Sequence, residues 1–183
     1  MAPEGPIVIV SYDRRWPGGF HRIGTRLRAA LDTVALRIDH VGSTSVVDLD
    51  AKPVIDIQVS VATLIPEAPY LGPLERLGLR FHPENPDRTK RFFLGPVGAQ
   101  PTHVHVRPRG SFDEQLNLLL RDYLRTHADS VREYARVKRT LAERFRDDRE
   151  GYVRAKEPTV WSLLRQAHEW AEESGWDPAP SDI

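Results

Sequence analysis

Residues 54–61 read Val-Ile-Asp-Ile-Gln-Val-Ser-Val, an alternation of period two. In a strand, Ile55, Ile57, Val59 and Val61 then share one face, and Asp56, Gln58 and Ser60 share the other. The apolar face must be buried. The polar face carries a carboxylate that is costly to cover without a partner, so it needs a cleft, a cation or an ion pair. This segment commits the chain to a sheet packed on one side and chemically occupied on the other. With 183 residues, 40% hydrophobic and 28% charged, the chain has material for one such globular domain.

Around this strand the pattern is mixed. Ile7 to Val10 reads as an edge strand or a packed arm. Phe20, Ile23, Leu27, Ala30 and Leu31 recur at helical spacing after the breaker Trp16-Pro17-Gly18-Gly19, predicting a helix over 17–31. Residues 34–41 read as a strand running into the small-residue turn Gly42-Ser43-Thr44-Ser45. A helix is expected over 66–77, ended by Gly78, and three further strands near Arg80, over 91–94 and over 102–106. From Phe112 onward glycine is absent until Gly151, and three apolar faces at helical spacing follow. They are Leu116/Leu119/Leu120/Tyr123, Val131/Tyr134/Ala135/Leu141 and Val160/Leu163/Leu164/Ala167/Trp170. Trp161 and Trp170 read as core. The expectation is an α+β fold: a single domain over 1–173, with a sheet core near 7–110, helices over 111–173, and a flexible tail over 174–183.

Composition excludes several classes of function. There is no cysteine, which removes disulfide scaffolds, thiolate metal sites and thiol nucleophiles. Lys+Arg and Asp+Glu number 26 each, which argues against bulk nucleic-acid or acidic-membrane binding. No stretch approaches the ~20 apolar residues of a membrane span, and the N-terminus lacks a basic, apolar leader. A soluble cytoplasmic protein is the expectation. P-loop, dinucleotide-binding, nucleophile-elbow and zincin motifs are all missing.

Four features carry chemistry. The turn Gly42-Ser43-Thr44-Ser45 offers close backbone approach and hydroxyls for phosphate oxygens, though an ordinary inter-strand turn reads the same way. Asp56 suits Mg²⁺ or an ion pair with Lys52 or an arginine. His103, His105 and Arg107 share one face of their strand, where two imidazoles two residues apart can hold a metal, position a phosphate or simply hydrogen-bond. Finally Arg80, Arg88, Lys90, Arg91, Arg107 and Arg109 outnumber Glu84 and Asp87 in one stretch, which suits a phosphorylated ligand or a solvated loop. Lys138 and Lys156 reach a phosphate only if their helices line the cleft.

His40-Val-Gly-Ser-Thr-Ser-Val46, continued by Ala51-Lys-Pro-Val-Ile-Asp-Ile57, closely resembles the GrpB family of the nucleotidyltransferase superfamily. The likeness extends through Tyr12-Asp13, Trp16, His103-Val-His105, Leu120-Arg-Asp-Tyr-Leu124, Tyr134-Ala135 with Lys138, and Tyr152 with Lys156. The resemblance implies a mixed sheet flanked by helices, with Gly42 and Ser43 holding nucleotide phosphates and Asp56 as the first of the superfamily's acids. The second acid falls on the neutral Gln58, and His105 stands where a third carboxylate is expected.

Three functions fit. The first is a nucleotidyltransferase. An NTP lies over Gly42, Ser43, Thr44 and Ser45, and Mg²⁺, Mn²⁺ or another transition metal sits on Asp56, His103 and His105. Lys52, Arg91 and Arg107 neutralise phosphate, Asp56 and His105 are catalytic, and the hydroxyl acceptor is unidentified. The second is a nucleotide-binding regulatory module without turnover, favoured by Gln58. The third is a metal-dependent hydrolase built on His40, Asp56, His103 and His105.

Overall fold

The computed structural model describes residues 5–183; the first four residues, which the single-domain reading includes, lie outside them. The fold is α+β. Its elements run α1 (Trp16–Leu31), β1 (Arg37–Val41), β2 (Ile55–Val61), α2 (Ala68–Arg76), β3 (Arg80–Phe81), β4 (Arg91–Leu94), β5 (Thr102–Pro108), α3 (Phe112–Thr126), α4 (Ala128–Arg144) and α5 (Arg149–Ser174). The sheet order is β1-β2-β5-β4-β3. Only β2 and β5 pair in parallel; the other neighbours are antiparallel.

The period-two reading of β2 holds. Ile55, Ile57 and Val59 have no exposure and join Val104, Val106 and Phe93 from β5 and β4. Trp16, Phe20, Leu27, Tyr70 and Leu74 from α1 and α2 close over this face. Each such aliphatic or aromatic side chain contributes about 1.5–3 kcal/mol by leaving water. Gly19 lets α1 approach closely, since a Cβ there would lie 2.7 Å from Ile55 Cδ1. The opposite face carries the polar residues of β2 and receives α3. Gln58 and Ser60 are fully buried there, with Ser60 Oγ donating to Glu114 Oε1 at 2.5 Å.

Helix α3 buries two faces, which explains why its expected apolar stripe is incomplete. Glu114, Leu118 and Arg121 recur at i, i+4, i+7 and are all buried, whereas Leu119 and Tyr123 pack with α4 and α5. Helix α5 starts at Arg149, well before the apolar face expected from Val160, and runs through Pro158. Asp148 caps its start by accepting from Gly151 N at 2.8 Å. Trp161, expected in the core, is 60% exposed. The segment over Ile7 to Val10 is a packed arm joined by one bridge, Val10 to Ala51.

The C-terminal residues depart from the frayed tail that their composition suggests. They lie along β1, an edge strand whose outward backbone groups need partners. Ile38 N donates to Ser181 Oγ at 2.8 Å, His40 N to Asp182 Oδ2 at 2.9 Å, and Ile183 N to Ile38 O at 3.2 Å. Ile183 seats over Gly24, where any Cβ would lie 2.8 Å from it. Asp182 also reaches Arg121, which is 1% exposed and further paired with Asp122 and the fully buried Asp39.

Removing Asp39 leaves part of the Arg121 charge uncompensated in the interior. Asp39→Ala is expected to lower stability by about 3 kcal/mol in urea unfolding. Asp129→Ala, in an exposed pair with Arg132, is expected to leave the midpoint unmoved.

Candidate functional site

The site begins where β1 ends. Gly42 adopts φ +70, a left-handed conformation that favours glycine, and leads into a tight turn over Ser43–Ser45. A Cβ on Gly42 would lie 2.9 Å from Asp56 Oδ2. The turn and the carboxylate are therefore in contact. Thr44 Oγ1 donates to Val54 O at 3.1 Å, tying the turn to the entry of β2. That uses the only hydroxyl proton, so His40 Nε2 must donate to Thr44 Oγ1 at 3.0 Å. Burial and the nearby Arg125 push His40 down to about 4. Its ring stacks on Phe20 at 4.8 Å. His40 is thus a neutral pin behind the turn, on the α1 side of the sheet, and leaves the four-ligand set considered from sequence.

The parallel pairing of β2 with β5 sets Asp56 beside His103 and Gln58 beside His105. Because side chains alternate, Asp56 and both imidazoles emerge on one face. His103 Nδ1 and His105 Nε2 each lie 3.2 Å from Asp56 Oδ1. One ligand atom from each of the three residues falls within 4.8 Å of the others. Burial raises the Asp56 carboxyl, but the hydrogen bonds from His103 and His105 outweigh it and hold it below the usual carboxylate range. Burial lowers His105, against the pull of Asp56. Phe92 lies 5.2 Å from both rings and braces them.

A cleft of about 510 Å³ opens over this cluster. Gly42, Ser43, Thr44, Lys52, Asp56, His103 and His105, all candidates from the sequence, line it. Helices α4 and α5 add a wall the sequence left open: Tyr134 and Lys138, Tyr152 and Lys156. Tyr134 and Ser43 line the same cleft, so α4 flanks the turn. The ammonium of Lys138 lies over the Tyr134 ring at 4.6 Å, and those of Lys52 and Lys156 lie over Tyr152 at 5.4 and 5.7 Å. Burial pushes Lys138 down to about 7, with the cations Lys156 and Lys52 adding to it. Burial, Arg149 and Lys156 bring Lys52 to about 8. Among the described residues no carboxylate forms a salt bridge with any of these three lysines. The signal in the sequence was Tyr-x-x-x-Lys, which occurs at 134–138 and again at 152–156 and puts both residues on one helix face.

Three expected ligand residues lie elsewhere. Arg91 pairs in register with Val106, so its side chain leaves from the other sheet face and binds Glu67. Arg107 shares the face of His105 but lies beside Ser60, one step farther along. It is 7% exposed and committed to Asp113 at 3.0 Å and Asp87 at 3.5 Å. Ser45 is buried, with its hydroxyl donating to Gly42 O at 2.6 Å. It braces the turn without lining the cleft. Gln58 is also committed: it donates to Glu114 O at 3.2 Å and accepts from Asn117 Nδ2 at 2.9 Å.

The contact between the turn and the carboxylate yields a direct test. Gly42→Ala is expected to preserve the circular dichroism spectrum while displacing Asp56, weakening Mn²⁺ binding by about tenfold or more in calorimetry. Gly98→Ala, where a Cβ meets nothing within 4 Å, is expected to leave Mn²⁺ binding unchanged.

The UPF0157 protein PA4798 of Pseudomonas aeruginosa is 41% identical over 170 residues, covering 91% of this chain and 69% of that protein. A dephospho-CoA kinase of Mycolicibacterium paratuberculosis is 34% identical over 200 residues, covering 96% of this chain but 49% of the kinase. The chain thus spans about half the length of such kinases. Among solved structures, the conserved protein GrpB from Enterococcus faecalis matches with a TM-score of 0.80 and 26% identity, over 88% of this chain and 98% of that one. Cid1 in complex with its short product ApU matches at TM-score 0.52 and 15% identity, over 74% and 43% of the two chains. That second likeness shows a nucleotidyltransferase-like fold. The GrpB protein family model matches residues 6–166, a span that contains the Gly42 turn, the Asp56 cluster and the cleft lysines Lys52, Lys138 and Lys156, and the chain belongs to the GrpB family.

Proposed function

We propose that this chain binds a nucleoside triphosphate together with a divalent metal and transfers the nucleotidyl group to a hydroxyl acceptor. The observation that carries this reading is the opposition of charges across one cleft. On one side stands the cluster of Asp56, His103 and His105. On the other, three lysines lack carboxylate partners and are held partly out of water. Such a wall is stable with a polyanion and strained without one. The exposed Gly42 and half-buried Ser43 lie between the two sides, where a phosphate chain would cross.

In this reading Lys52, Lys138 and Lys156 hold the β- and γ-phosphates and Ser43 meets the bridging region. Leu120, Leu124 and Val160 offer an apolar wall to the nucleoside. A cation on the Asp56 cluster would supply Lewis-acid polarisation of a phosphate oxygen. The acceptor hydroxyl oxygen attacks the α-phosphorus, the bond from that phosphorus to its β-bridging oxygen breaks, and pyrophosphate leaves. Asp56 takes the hydroxyl proton on Oδ2, the oxygen free of the imidazoles. Being held acidic, it passes the proton on to solvent. His103 and His105 would hold the cation beside that carboxylate. Positioning and charge neutralisation do most of the work.

A nucleotide-binding module without turnover is the second reading. It is favoured by Gln58, whose amide is spent on Glu114 and Asn117 where the superfamily carries a second acid. Incubation with α-labelled NTPs, Mn²⁺ and a cell extract separates the two. A labelled product that disappears in Asp56→Ala supports transfer. Saturable binding without product in any metal supports the module.

Binding itself has a predicted pH profile. Lys138 and Lys52 titrate near 7 and 8 in the free protein, and only their protonated forms attract phosphate. Between pH 7.5 and 9.5, where the terminal phosphate of a nucleoside triphosphate is already ionised, affinity for the nucleotide is expected to fall as pH rises, with proton uptake on binding. Lys138→Ala is expected to cost about 10–100-fold in affinity, as a charged hydrogen bond of ~1.5–3 kcal/mol is lost. It is also expected to flatten the profile. Calorimetry in buffers of different ionisation enthalpy measures both.

A further inference from the structure

The superfamily scheme holds two Mg²⁺ ions about 3.5–4 Å apart between bridging carboxylates. The residues present here do not fit that arrangement. Only Asp56 is a carboxylate. Gln58, at the position of the second acid, is fully buried, and both ends of its amide are bound by protein. The nearby Glu114 is also closed to a cation. Its Oε1 accepts from Ser60, and its Oε2 accepts from Gly110 N at 2.7 Å and Gln115 Nε2 at 2.8 Å. Among the described residues, no other group of His, Asp and Glu gathers ligand atoms as the Asp56 cluster does.

Charge leads to the same conclusion. One carboxylate with two neutral imidazoles leaves a single dication with one net positive charge, which a phosphate offsets. A second dication would leave about three, facing Lys52, Lys138 and Lys156 across the same cleft. The donor chemistry then selects the ion. Mg²⁺ prefers oxygen and holds its water, whereas Mn²⁺, Co²⁺, Ni²⁺ and Zn²⁺ accept imidazole nitrogen. The two imidazoles are fixed rather than adaptable: they stand on adjacent positions of one strand face, braced by Phe92, with Asp56 delivered by the neighbouring strand.

We infer that Asp56, His103 and His105 form a site for one imidazole-preferring transition cation per chain, in place of the two-Mg²⁺ centre. The inference refines the metal half of the proposed function and rests on the same cleft. Three protein ligands would leave positions for phosphate or water, and Gly42 and Ser43 line the same cleft.

The test uses the full chain after chelator treatment. Titration with Mn²⁺ is followed by calorimetry and by electron paramagnetic resonance. One Mn²⁺ per chain is expected, with ¹⁴N coupling from imidazole in the pulsed spectrum. Zn²⁺ should displace it at near-equal concentration, and a hundredfold excess of Mg²⁺ should not. His103→Gln and His105→Gln are each expected to weaken Mn²⁺ by about tenfold or more. Because these readouts are made on the unaltered chain as well, a variant that fails to fold does not decide the matter. Two Mn²⁺ per chain, absence of ¹⁴N coupling, displacement by equimolar Mg²⁺, or no metal binding at all would each overturn the inference. Tripolyphosphate binding measured in excess chelator reads the lysine wall separately. Its loss would strike the proposed function, while the metal titration would still stand or fall by itself.

Discussion

The parallel pairing of β2 with β5 is the constraint on which the rest of the molecule depends. Antiparallel neighbours can be joined by a short turn, but a parallel pair requires a long crossover. Here that crossover contains α2, β3 and β4. Its register sets Asp56 level with His103. A shift of one residue would send the imidazoles to the apolar face and bring Val104 and Val106 to Asp56. The apolar face prevents such a shift, since Ile55, Ile57, Val59, Val104 and Val106 are all buried against α1 and α2. The hydrophobic core thus fixes the chemistry of the opposite face without touching it.

The second determinant is an electrostatic conflict left standing in the cleft. Elsewhere the protein settles its buried charges. Arg121 is met by Asp39, Asp122 and Asp182, and Arg107 by Asp87 and Asp113. Lys52, Lys138 and Lys156 are treated differently. Tyrosine faces and one backbone carbonyl of Asp50 shelter them, and burial, with neighbouring cations adding to it, keeps Lys138 and Lys52 readily deprotonated. A chain with equal numbers of acidic and basic residues could have paired them. Clustered basic groups held this way in a cleft are the basis on which an anionic ligand is proposed.

Much of the site was legible before any coordinates, and the reasons are local. Strand periodicity grouped Asp56 with Gln58, and His103 with His105, because alternation needs no tertiary knowledge. The small-residue turn at Gly42 was legible because a positive φ beside a carboxylate leaves little choice of residue. Reading charge by proximity in sequence was less successful. Arg91 lies in the basic stretch, yet its register with Val106 turns it to the far face. Arg107 keeps the right face but stands too far along the strand and meets two aspartates. The frayed reading of the tail failed because composition cannot tell that the edge of β1 has unpaired backbone groups to offer.

By itself the sequence determined which side chains stand together on each strand and helix face, because those periods follow from backbone geometry alone. It therefore determined the aspartate, the imidazole pair and the two Tyr-x-x-x-Lys faces as separate units. Only the tertiary structure decided that these units meet. The strand order, the crossover between β2 and β5 and the packing of α4 against Val46 and Leu49, just after the Gly42 turn, depend on contacts far apart in the chain. Burial and charge at the cleft are properties of that assembly. No segment read alone could show that the lysines would line one cleft with Asp56, His103 and His105 or that Gln58 would be closed to it.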